Sequence, residues 1–171
     1  MFRKVLQWGG VTFVGVLTLA ACASTPASHS SSSIDPPAGE RLMALTASRV
    51  QTYTCEFDAQ HRLQWVFKSP LATLYDTSGH AVVNHAAGPS WQASDGSRIV
   101  GHAIAQLPSD TKASVPQLLL ETHSTAGSGT LSAVRYVQRV KTVGGVAPAA
   151  PCSAAGEAGS SPYLAEYVFY K

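Results

Sequence analysis

Apolar and polar residues alternate with period two along most of the chain beyond residue 48. In Val50–Phe57 the residues Tyr53, Cys55 and Phe57 share one face, while Thr52, Thr54 and Glu56 take the other. That alternation predicts a half-buried β-strand. Leu63, Trp65 and Phe67 repeat it, and the short link Asp58–His61 makes the two segments a hairpin. Leu71–Tyr75 and His80–Asn84 flank Asp76-Thr77-Ser78-Gly79, where Asp and Gly suit a turn containing a left-handed residue. Asp95-Gly96-Ser97 is a second such turn, leading from Trp91 into a strand over Arg98–Gln106. Leu118-Leu119-Leu120, bracketed by Pro116 and Gly127, predicts a buried strand. The longest candidate runs from Gly129 to Val143, and Leu164–Tyr170 closes the chain. Helix signals are nearly absent, although Glu40–Ser48 fits a short helix as well as an edge strand. The expected fold is all-β and mostly antiparallel, a sandwich or a barrel.

The N-terminus departs from this pattern. Arg3 and Lys4 precede an apolar run from Val5 to Ala21, broken by Gln7, Gly9, Gly10 and Gly15. A basic start before a short apolar stretch predicts a secretory signal over residues 1–21, and the run falls short of a membrane-spanning helix. Leu19-Ala20-Ala21-Cys22 resembles the lipobox of bacterial lipoproteins, which implies cleavage before Cys22 and a lipid on its sulfur. Ala23, in place of an aspartate, points to the outer membrane of the cell envelope. Acyl chains contribute about 0.8 kcal/mol per buried CH₂, and more than one chain gives a stable anchor. Residues 22–40 are rich in Ser, Pro and Ala, and predict a disordered tether with a reach of roughly 20–25 Å. Residues 41–171 are one domain by size.

Charge and cysteine content then change meaning. The chain has 12 Lys+Arg against 10 Asp+Glu, but Arg3 and Lys4 leave with the signal, so the exported chain is neutral. No Lys/Arg cluster remains to recommend nucleic acid as a partner. With Cys22 lipidated, Cys55 and Cys152 form an even pair in an oxidising compartment, which predicts one disulfide. It would close a loop of about 100 residues, worth around 4–5 kcal/mol on the chain-entropy model.

An ordered set of short motifs carries a further resemblance. Tyr53-Thr54-Cys55, Leu71–Asp76, Ala87-Gly88-Pro89-Ser90-Trp91, Asp95-Gly96-Ser97, Val134–Val140, Gly144-Gly145, Cys152 and Pro162–Tyr170 are together similar to domain-of-unknown-function family 3455. The likeness spans roughly residues 48–171. It implies a secreted protein of bacterial or fungal type and supplies no established activity. Fungal members often carry the label malate dehydrogenase, which this sequence does not support. A dinucleotide site needs G-x-G-x-x-G in a strand–turn–helix unit, whereas Gly127-Ser128-Gly129 lacks the third glycine and leads into a strand.

Candidate chemistry is sparse. His61, His80, His85, His102 and His123 show no metal-ligand spacing, so no metal and no cofactor is expected. Ser90, His85 and Asp95 can be drawn as a hydrolytic triad, although triads are defined by geometry and not by proximity in sequence. The densest cluster is His85–Trp91 followed by Asp95. A tryptophan beside polar groups suits stacking on a flat or sugar-like ligand. On the long strand, Arg135, Val137, Arg139 and Lys141 share a face, read as solvated. Gln138 falls on the opposite, apolar face with Tyr136, and a pocket of Gln138 and Glu166 lined by Tyr136 and Tyr170 is a second candidate. The expected function is a non-enzymatic envelope lipoprotein that binds a small molecule, glycan or envelope partner. The alternatives are a periplasmic hydrolase using His85 and Asp95, and a purely structural envelope protein.

Overall fold

Eight strands account for nearly all of the expected alternation. The computed structural model describes residues 33–37 and 39–171, and the signal segment, Cys22 and most of the tether lie outside them. In chain order the strands are β1 Arg41–Phe57, β2 Leu63–Tyr75, β3 Ala81–Ala86, β4 Ser90–Ala93, β5 Arg98–Leu107, β6 Gln117–Ala126, β7 Tyr136–Gly144 and β8 Ala158–Tyr170. Each pairs antiparallel with the next, and β8 returns to pair with β1, which closes a barrel. The choice between sandwich and barrel is thereby decided. Glu40–Ser48, open between helix and strand, enters β1 from Arg41 onward, with Leu45 and Ala47 buried on the inner face.

Three of the turns use the same device. Asp58 Oδ1 accepts the backbone N–H groups of Gln60 and Arg62 between β1 and β2. Asp76 Oδ1 does the same for Ser78 and His80 between β2 and β3. Asp95 Oδ1 takes the N–H and hydroxyl of Ser97 between β4 and β5. An aspartate that bonds the backbone two residues on fixes a tight turn without help from the core. These bonds favour the ionised form and hold all three carboxyls below their ordinary range.

The core sits inside the barrel. Leu45, Leu74, Trp91, Ile99, Val137 and Phe169 are among its fully or nearly fully buried members. Eight strands enclose just enough room for side chains to fill, or for one small ligand. The segment Gly129–Val143 does not run as one strand. Ser132 and Val134 donate to the carbonyls of Gly129 and Leu131, and Thr130 donates to Asp95 Oδ2 through both its N–H and its hydroxyl. This ties the β6–β7 link to the β4–β5 turn and buries Leu131 and Val134 as a plug at that end.

The expected disulfide joins Cys55 of β1 to Cys152, across a sequence separation of 97. The backbone braces it, with Cys55 N donating to Glu157 O and Gly156 N to Cys55 O. The described end of the tether is docked on the domain, through Ile34, Asp35 and Glu40. Ile34 is buried, and its carbonyl accepts a hydrogen bond of 2.8 Å from Gln138 Nε2.

Candidate functional site

At the end of the barrel opposite the Asp95 turn lies a cavity of about 240 Å³. The β3–β4 turn, Ala87-Gly88-Pro89, forms part of its rim. Gly88 has φ of 110°, a left-handed conformation that side chains avoid. Antiparallel register sets His85 opposite Trp91, and both side chains point inward. Their rings stack with centroids 4.6 Å apart and planes 5° from parallel, and Tyr167 from β8 meets the imidazole edge-on at 5.1 Å. Gly101 makes room for the indole. A Cβ there would stand 2.8 Å from Thr122 Cγ2 and 3.3 Å from Trp91 Cζ3. Ala103, Leu118 and Leu120 complete an aliphatic wall, and the small Ala103 side chain leaves the space open.

His85 has one ring nitrogen committed. Nδ1 lies 2.9 Å from the backbone carbonyl of Ser90, which can only accept, so Nδ1 carries the proton. Nε2 of the neutral ring is then an acceptor. Burial pushes the His85 pKa down to about 4, against a smaller opposing effect of the Ser90 carbonyl. The unfolded chain therefore binds a proton at His85 between its ordinary pKa near 6.5 and about 4, and the folded chain does not. Stability is complete above that window and falls as pH drops through it, by up to about 3 kcal/mol. Urea denaturation between pH 7 and pH 4 should show this loss in the wild type and not in His85→Phe.

Arg139 enters the same cavity from β7. Its Nε and Nη2 donate to the Pro116 carbonyl at 3.1 and 2.8 Å. The guanidinium also lies beside the hydroxyls of Tyr163 and Tyr167, which are 2.9 Å from each other. Burial raises both phenols above their ordinary range, and the Arg139 charge partly offsets it. Trp91 Nε1 is buried without a hydrogen-bond partner, as are both amide atoms of Gln51.

The candidates from sequence are only partly gathered here. His85 and Trp91 come together. Ser90 is adjacent, but its hydroxyl donates to the Ala87 carbonyl at 2.9 Å and presents no nucleophile to the imidazole. Asp95 is at the other end of β4, with both carboxylate oxygens engaged by Ser97 and Thr130. The second candidate pocket does not form. Gln138 and Tyr170 do meet, with the Tyr170 hydroxyl donating to Gln138 Oε1 at 2.7 Å, and Tyr136 pairs with Tyr170. These residues lie on the outer wall, where Gln138 is engaged by Ile34 and Asp35. Glu166 instead pairs with Lys141 at 2.8 Å in the open.

The reading of the long strand is inverted in the structure. Val137 and Arg139 face the interior, Gln138 faces out, and a register shift between Val140 and Val143 turns Lys141 away from Arg139. Among the described residues, no three metal-type side chains are clustered.

Over residues 36–171 the chain matches the family described as "Protein of unknown function (DUF3455)". It belongs to that family. No curated protein and no solved structure matches it. In this DUF3455 chain, Gly127-Ser128-Gly129 falls in the link between β6 and β7, so the strand–turn–helix unit of a dinucleotide fingerprint is not formed there.

Proposed function

We propose that this chain is a lipid-anchored envelope protein, most simply at the outer membrane, whose barrel mouth binds a small, flat molecule without transforming it. The single observation that carries this reading is a cavity of about 240 Å³ lined by the buried His85–Trp91 stack. Apolar cavities of about 150 Å³ take benzene, and drug-sized ligands fill about 300 Å³ or more. A ligand of one ring with substituents fits between these limits. A buried aromatic pair offers such a ring a rigid face at little entropic cost.

Two features favour binding over hydrolysis. The proton on His85 Nδ1 is held by a carbonyl and not by a carboxylate, and the Ser90 hydroxyl is turned to Ala87. The arrangement therefore lacks the oriented base and nucleophile of acyl transfer. The anchor reading rests on Leu19-Ala20-Ala21-Cys22 and the segment before it. An apolar interior with Glu56, Lys68, Lys141 and Glu166 in ion pairs on the outside is the reverse of a membrane-embedded barrel, consistent with a domain held at the membrane by lipid alone.

Ala103→Phe tests the proposal by filling the cavity from its wall. In a screen of single-ring compounds, a ligand at 100 times its Kd should stabilise the wild type by about 2.7 kcal/mol. The variant should unfold cooperatively near the wild-type temperature and show no ligand shift. Equal shifts in both proteins would place the ligand elsewhere.

A further inference from the structure

The polar groups around the cavity are unbalanced in charge, and the imbalance specifies a ligand class. Arg139 brings a cation into it from within the barrel, and no aspartate or glutamate lines it. Lys68 is already paired with Glu56. Arg139 is not among the ion pairs of the described residues, whose carboxylates are engaged with Arg62, Lys68, His80, His102, Lys141 and Lys171. Its neighbours are a carbonyl and two phenols, which solvate a cation without neutralising it. A half-buried charge held only by dipoles gains when an anion is brought to it.

Geometry narrows the class further. A guanidinium has five N–H donors in a planar fork. Nε and Nη2 donate to Pro116, and the Tyr163 and Tyr167 hydroxyls lie beside the remainder of the fork. The N–H groups not spent on Pro116 suit the two oxygens of a carboxylate, which would share them with the phenols. Besides Arg139 and Lys68, the polar side chains against the cavity are those of His85 and Tyr167. The Tyr167 hydroxyl shares one bond with Tyr163. A sugar, with its many hydroxyls, would meet walls of Leu118, Leu120 and Ala103 that offer it no hydrogen-bond partners.

We infer that the barrel mouth selects a small organic carboxylate, its anionic end on Arg139 and its ring against the His85–Trp91 stack. This rests on the proposal that the mouth is a binding site, and the test separates the two. Fluorine NMR titrations of fluorobenzoate and of its neutral isostere fluorobenzamide would be run on the purified full chain in detergent. The same titrations would be run on Arg139→Gln, Arg139→Lys and Ala103→Phe. In the wild type the acid should bind at least about tenfold more tightly than the amide, the lower range of a hydrogen bond to a charged group. Arg139→Gln should bring the ratio close to one while amide affinity holds. Arg139→Lys should keep part of the preference, and it carries the test if the glutamine variant fails to fold without its bond to Pro116. Acid and amide binding equally, with both lost in Ala103→Phe, would overturn the carboxylate assignment and leave the binding site standing. Binding of neither probe to the wild type would overturn both.

Discussion

Replacing Trp91 with alanine should lower the stability of the domain by about 3–5 kcal/mol, the cost of truncating a large aromatic in a core that cannot collapse. Trp91 is fully buried and touches the barrel from three directions. His85 stacks on its face, while Tyr167 and Phe169 meet it edge-on with centroids 6.1 and 6.4 Å away. Removing the indole would join its volume to the existing cavity, and strands closed in a ring have little freedom to move inward. The loss compares with a total of about 5–15 kcal/mol for a domain. Trp91→Phe keeps a ring in the stack and should cost distinctly less. Urea denaturation of the three proteins measures this directly. A loss below about 1 kcal/mol for the alanine variant, the scale of an ordinary substitution, would mean that the aromatic cluster does not organise the core.

How much of this was legible in the sequence depends on the range of the interaction. The strands around Tyr53, Cys55, Leu74 and Val83 were legible because their alternation is local and one of their faces is buried. The turns at Asp58, Asp76 and Asp95 were legible because the aspartate that makes each turn lies within it. Closure of the barrel was not legible. It rests on pairs such as Thr46 with Glu166 and Ala47 with Ala165, and nothing in a local pattern says which distant strand a given edge will meet.

The site divides in the same way. His85 and Trp91 belong to one hairpin, so their association followed from a short stretch of chain. Arg139 was hidden because Val134, Tyr136 and Val140 make the face opposite it look like the apolar, inward one. Gln138 is buried on the outer wall, where Ile34 docks, and so the apparently apolar face of β7 is the outer one. The inward residues, Val137 and Arg139, looked like part of a solvated basic row. The apolar Val137 at the same parity was the signal that pointed inward. Glu166 was misplaced for the same reason, since Leu164 is half-exposed while Val168, four positions on along the same face, is buried.

Removing the disulfide, by reduction or by paired Cys55→Ser and Cys152→Ser substitution, should cost about 4–5 kcal/mol at the entropic limit. The bridge spans 97 positions, from the middle of the first half of the chain to the segment just before β8. That span contains β2 through β7. In the unfolded chain the cross-link therefore keeps β1 near β8, and closing that distance is the step on which the barrel depends. The folded state should change little, because Glu157 holds the same segment independently. Its carboxylate accepts from Ser153 and Ala154, and its carbonyl from Cys55. The expected signature is accordingly a lower urea midpoint with an unchanged native far-ultraviolet spectrum and a larger slope, since the uncrosslinked chain unfolds to a more open state. A loss under about 1 kcal/mol would assign barrel closure to the β1–β8 hydrogen bonds and the Glu157 brace instead. A loss near the limit would mean that much of the domain's stability is acquired only where thiols are oxidised.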